Sequence, residues 1–159
     1  MWTNLTQDPA ARFATPRIAS GALFVDDGQV LLVRKTYGNI WDIPGGYVDR
    51  SESPASACER ELREELGIRR TVKRLLVNDW APNDAEGDKI LYIFDCGELG
   101  QEQYGMRPDG VEIDKTEWVL AADLARFVIP RLVRRLTSAY RAYTSDATLY
   151  LEHGRIPTR

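Results

Sequence analysis

Residues 46–68 read GYVDRSESPASACERELREELGI, and this stretch decides more about the chain than the rest of its 159 residues. Ser53 is a good N-cap, Pro54 suits the first helical position, and Gly67 suits the left-handed turn that closes a helix. The pattern therefore predicts a helix from Pro54 to Leu66. On that helix Ala55, Cys58, Leu62 and Leu66 share one stripe, the side that packs on a core. Glu61, Glu64 and Glu65 follow at spacings i, i+3 and i+4, which brings three carboxylates within reach of a common point. Glu59, Arg60 and Arg63 point away from the stripe, and the pairs Glu59/Arg63 and Arg60/Glu64 suit ordinary ion pairs.

Glu61 and Glu65 need a further cause. Like charges at i, i+4 cost roughly a few tenths of a kcal/mol when solvated and more when partly buried. A hard divalent cation relieves that repulsion. Mg²⁺ takes one or two carboxylates together with waters and substrate phosphate oxygens, and Mn²⁺ is its usual substitute. For an arbitrary Glu-rich helix a solvated acidic face is the simpler reading. Here Pro44-Gly45-Gly46 precedes the helix, Glu52 stands at its entrance and Gly67 at its exit, a constellation that favours the metal site.

The segment Gly46 to Ile68 resembles the complete signature of the Nudix hydrolases, matching at Gly46, Glu52, Arg60, Glu61, Leu62, Glu64, Glu65, Gly67 and Ile68. Trp41-Asp42-Ile43-Pro44-Gly45 resembles the family's lead-in and Glu117-Trp118-Val119 its final core strand, so the resemblance spans residues 17–140. It implies an α+β fold, an α/β/α sandwich with a mixed sheet flanked by helices. It also implies cleavage of a nucleoside diphosphate linked to another group. Glu61, Glu64 and Glu65 would hold the metal together with the carbonyl of Gly45, while Arg60 and Glu52 would support loop and helix around them. Glu112, six residues before Trp118, matches the place where family members bring an extra acid to the metal. Either Glu112 or Glu61 would be the base, and Asp109 or Asp114 could replace Glu112 after a small loop shift.

Composition agrees with one compact enzyme domain: 43% of residues are hydrophobic and 28% charged, enough for one core and short for two. We read residues 1–16 as an N-terminal arm and residues 17–159 as a single domain. No long apolar run and no leader pattern occurs, so the expectation is a cytoplasmic protein without a membrane partner. Cys58 and Cys96, far apart in sequence, read as small buried hydrophobes rather than a disulfide or metal pair. A net charge of −3 gives no broad attraction for nucleic acid, and the local group Arg131, Arg134 and Arg135 reads as a solvated helix face. The expected partner is a small nucleotide, and a homodimer is left open. Arg34 and Lys35 are candidates to neutralise its phosphates. Tyr37, Trp41 and Trp80 could stack on a base, although aromatics at strand ends often close a core, and Gly46 would let the substrate come close.

Along the chain, strands are expected at 18–25 and 30–35 around the hairpin signal Asp26-Asp27-Gly28, then at 71–80, 89–96 and 116–120. Residues 97–115 read as a long acidic loop, 121–127 as a short helix, 130–143 as a longer one, and 149–151 as a last strand.

Other chemistries fail by inventory. His153 is the only histidine and no Gly-x-Ser-x-Gly elbow, Walker loop or Gly-x-Gly-x-x-Gly run occurs, against serine hydrolases, P-loop ATPases and dinucleotide dehydrogenases. A zinc site lacks its usual ligands. Isomerisation of a prenyl diphosphate would need a reactive cysteine facing the pocket, and Cys58 falls on the packing stripe. A non-catalytic nucleotide-binding regulator would have no need to keep three repelling glutamates. The substrate is less legible: Pro82 lies near the proline of ADP-ribose hydrolases, and an enzyme clearing 8-oxo-dGTP would use an Asn after the last core strand, where none follows Asn83.

Overall fold

The computed structural model describes residues 9–159. Residues 1–8 of the expected arm lie outside the described residues, and Pro9–Arg12 form a single 3₁₀ turn. The strands that follow are β1 (Arg17–Leu23), β2 (Val25–Asp26), β3 (Gln29–Lys35), β4 (Trp41–Asp42), β5 (Gly45–Tyr47), β6 (Arg74–Trp80), β7 (Lys89–Asp95), β8 (Ile113–Leu120) and β9 (Leu149–Glu152). The helices are α1 (Pro54–Leu66) and α2 (Pro130–Thr144). A five-stranded mixed sheet has the order β5-β1-β7-β6-β9, with β1/β7 and β6/β9 parallel. A second, antiparallel sheet joins β2, β3 and β4, with β8 also paired to β3.

Alternation along the strands explains the layers. Ala22 and Phe24 belong to a core completed by Cys58, Leu62 and Leu66 of α1, whereas Leu23 and Val25 belong to a core completed by Leu132, Leu136 and Ala139 of α2. Successive side chains face opposite ways, so the two helices cover opposite faces. The expected α/β/α sandwich with a mixed sheet is what forms.

Asp27 and Gly28 adopt φ of 46° and 73°, and Val25 pairs with Val30 across them, the tight hairpin that Asp-Gly favours. The expected strand 18–25 is divided, because the chain passes from one sheet to the other at Phe24. β6 starts at Arg74 rather than at Thr71, and β8 starts at Ile113 rather than at Thr116. Within 97–115 a 3₁₀ turn forms at Gly100–Gly105. Cys58 and Cys96, though distant in sequence, bring their sulfurs within 3.9 Å, unbridged and fully buried. No helix among the described residues is long and apolar enough to cross a membrane.

One long-range contact corrects the solvated-face reading of Arg131, Arg134 and Arg135 at its last member. Arg135 is buried, and its Nε donates to Asp79 Oδ2 at 2.5 Å. Asp79, fully buried on β6, accepts through its other oxygen from Gly154 N at 3.0 Å. Asp79→Ala would strand a buried guanidinium and release the turn after β9. The expected cost is about 3–5 kcal/mol, read as a lower urea midpoint with the slope unchanged.

Candidate active site

The capping residues set the rotation and length of α1. Ser53 Oγ accepts from Ser56 N at 3.1 Å, and Gly67, at φ 68°, donates its N–H to the Arg63 carbonyl at 3.0 Å. Ala57, Cys58, Leu62 and Leu66 are buried; Ala57 takes the place expected of Ala55. This rotation carries Glu61 and Glu65 inward, to 8% and 1% exposure, and leaves the Glu64 side chain 59% exposed.

Each inward carboxylate is held by named donors. Glu65 accepts from Gly45 N at 3.0 Å and from Lys35 Nζ at 3.2 Å. Glu61 accepts from Arg60 Nη1 at 2.9 Å. Arg60 also donates to both Glu52 oxygens at 2.9 and 3.0 Å, to the Tyr47 carbonyl at 3.0 Å and to Glu64 at 3.2 Å. Glu59 pairs differently from the expected contact with Arg63: it takes the Val72 N–H at 3.0 Å.

Glu112 meets this pair from the long loop. Oxygens of Glu61, Glu65 and Glu112 lie within 4.8 Å of one another, and Glu64 is outside that group. The loop is fixed there by Asp109, whose Oδ1 accepts from the N–H groups of Val111, Glu112 and Ile113 at 3.0, 3.0 and 2.9 Å. Asp109 N donates to the Glu65 carbonyl, tying the turn to α1. Desolvation opposes it, but the three backbone donors hold the Asp109 carboxyl below its ordinary range. Asp114 is bound by Arg34 Nε and Nη2 at 2.8 and 3.1 Å. Both aspartates are thus committed elsewhere, and Glu112 is the loop acid at the cluster.

Burial dominates the electrostatics of the two inward carboxylates. Burial pushes Glu65 up to about 7, against the opposing pull of Lys35 and the Gly45 N–H. Burial also raises Glu61, against Arg60. Glu52, in contrast, is lowered by its hydrogen bonds from Arg60 and from the Asp49 N–H. An all-oxygen donor set with two desolvated carboxylates suits a hard divalent cation.

Gly46 lies against this cluster so closely that a Cβ there would collide with the Glu61 carboxylate. Gly45, at φ 149°, likewise has no room for a side chain beside the Ser20 carbonyl. Gly46→Ala should therefore turn Glu61 aside and weaken Mn²⁺ binding by roughly 10- to 100-fold, measured by calorimetry, while the thermal transition moves little.

A groove of about 420 Å³ adjoins the cluster. Lys35, Tyr37, Asp42, Gly45 and Gly46 form one part of its lining, and Arg131, Arg134, Arg135 and His153 another. Arg34, Trp41 and Trp80 are not among the lining residues. Arg34 binds Asp114, Trp41 meets Phe127 edge-on at 5.7 Å, and Trp80 gives its carbonyl to His153 N. Asp42 was not singled out in the sequence, although it lies inside the segment Trp41 to Gly45. Burial raises its carboxyl, opposed by its bond from Ile43 N and by Lys35 and Arg135. Pro82 lines the groove as well.

Known proteins resemble this chain in sequence and in fold. The family model of the NUDIX domain matches residues 15–142. An RNA pyrophosphohydrolase of Roseobacter denitrificans is 27% identical over 79% of this chain and 89% of its own. A putative 8-oxo-dGTP diphosphatase of Bacillus subtilis is 30% identical over 68% of each chain. Among solved structures, a MutT protein from Methanosarcina mazei superposes with a TM-score of 0.66 at 22% identity, over 84% of this chain and 97% of its own. The NUDIX domain of Shewanella oneidensis NrtR, solved with ADP ribose, gives a TM-score of 0.64 at 19% identity, over 89% of this chain and 97% of its own. Fold and helix-borne carboxylates together define the Nudix class of hydrolases. The chain belongs to the Nudix family.

Proposed function

We propose that residues 17–159 act as one domain that hydrolyses a phosphoanhydride bond in a nucleoside diphosphate linked to another group. The observation that carries this is the convergence of Glu61 and Glu65 from α1 with Glu112 from the loop. These carboxylates would hold Mg²⁺, with Mn²⁺ as a substitute. Gly45 and Glu64 border the same cluster, Gly45 through its bond to Glu65 and Glu64 through the guanidinium it shares with Glu61, and we keep both in the ligand set. A cation bound there supplies charge to stabilise the phosphate oxygens and to acidify the attacking water.

The chain's own groups supply the rest. Glu112 is exposed at the edge of the cluster, placed to accept the proton of the attacking water. Arg60 fixes Glu61 and, with Glu52, locks the loop of residues 47–52 to α1. Lys35, paired with Glu65 and lining the groove, is placed to meet a substrate phosphate. Tyr37 and Gly46 border the same space.

The experiment is a product analysis with Mg²⁺ over ADP-ribose, nucleotide sugars, dinucleotides and nucleoside triphosphates including 8-oxo-dGTP. Cleavage within a phosphoanhydride, yielding a nucleoside monophosphate, is the expected result. Tight binding of a compound in the panel with no cleavage of any would favour a regulator instead.

A further inference from the structure

We propose that the α2 part of the groove is a second anion site, formed by Arg131, Arg134 and the turn at His153, which receives a phosphate monoester on the substrate's distal portion. This rests on the hydrolase reading above, since the attacked phosphoanhydride is taken to lie at the carboxylate cluster. The two regions line one continuous cavity. Gly45 and Gly46 sit on β5 and His153 just beyond β9, at opposite edges of the five-stranded sheet. Four strand spacings separate those edges, about 19 Å. An occupant that touches both must be elongated, with its reacting group at one end.

Cations line both parts of this cavity, Lys35 and Lys89 beside β5 and Arg131, Arg134 and Arg135 beside β9. Of the three arginines, Arg135 is neutralised by Asp79. Arg131 is exposed and forms no ion pair among the described residues. Arg134 donates Nη2 to the His153 carbonyl at 3.0 Å, but its Nε is buried without a partner. That N–H is closed to solvent as it stands, so a turn of the Arg134 side chain would be needed to offer it to an anion in the groove, which would then satisfy it. Guanidinium geometry matches phosphate oxygens in particular.

The site is also built rather than loosely assembled. Asp79 binds both Arg135 of α2 and Gly154 N of the turn, and His153 N donates to the Trp80 carbonyl at 2.8 Å. The turn and the helix are therefore fixed relative to β6. A single compact cationic site in a chain of net charge −3 suits one phosphate on a small molecule, whereas a nucleic-acid backbone needs a longer basic track.

The test compares ADP-ribose with ADP-ribose 2′-phosphate, which differ by one phosphate remote from the phosphoanhydride. Equilibrium binding without metal and kcat/KM with Mg²⁺ are measured for wild type, Arg131→Gln, Arg134→Gln, the double variant, and Arg141→Gln near the far end of α2. Wild type should prefer the phosphorylated compound by about tenfold. The preference should collapse toward unity in the double variant and survive in Arg141→Gln. Equal affinity for the two compounds in wild type, or no binding of either, overturns the proposal. So does a preference that persists in the double variant. A 5′-triphosphorylated oligonucleotide whose binding depends on these arginines, when the small molecules do not, would overturn the small-molecule assignment. Absence of turnover with the affinity difference intact counts against the hydrolase reading and leaves the anion site standing.

Discussion

Glu112→Gln is expected to lower kcat by roughly 10² to 10⁴ while KM stays near its wild-type value, the range for loss of a positioned proton acceptor. The amide keeps the shape of the side chain and the turn that carries it, because that turn is held by Asp109 and not by Glu112 itself. Glu61→Gln should behave differently. Glu61 is buried against Arg60 and Gly46, so its loss acts through the cation, and raising Mg²⁺ should restore part of the rate. Rates of both variants across a metal titration separate the roles. A near wild-type rate for Glu112→Gln, with Glu61→Gln inactive at saturating metal, would place the base on α1.

Glu65→Gln is expected to remove measurable turnover while leaving a more stable apoprotein. Glu65 is the most buried carboxylate of the cluster and is pushed up from 4.5 to about 7. Its folded value exceeds its unfolded value, so the folded state binds the proton more tightly. The contribution of this group to apoprotein stability is therefore lost as pH rises from about 4.5 through about 7. Glutamine carries no such charge. The urea midpoint of the metal-free variant should exceed that of wild type at about pH 8, and the difference should shrink toward about pH 5. A variant less stable than wild type at both values would show that the Lys35 contact outweighs the burial of charge.

Much of α1 was legible because its signals are local. Ser53, Pro54 and Gly67 mark the ends, and the apolar spacing sets the inward face that carries Glu61 and Glu65. Glu64 shares their spacing, but the rotation that buries Leu62 and Leu66 turns it out toward Arg60 and solvent. A spacing argument finds the side of a helix more readily than the depth of each residue. β4 and β5, two and three residues long, are too short to show a period, and they form because β3 and β1 offer them partners. The same holds for Arg135. Its partner Asp79 lies 56 residues away, so nothing in the local sequence separates it from solvated Arg131. Asp114 and Arg34, 80 residues apart, are another such pair, and nothing in the local sequence of either announces the contact.

The most direct measurement is turnover of one cleaved nucleotide by wild type in Mg²⁺, after addition of excess EDTA, and after Mg²⁺ is restored, with Glu65→Gln run beside it. Activity in wild type that vanishes with chelator and returns with Mg²⁺, and no activity in the variant, is the result expected of a carboxylate-held cation that drives phosphoanhydride hydrolysis. Equal rates in EDTA and Mg²⁺, or wild-type turnover by Glu65→Gln, would contradict it.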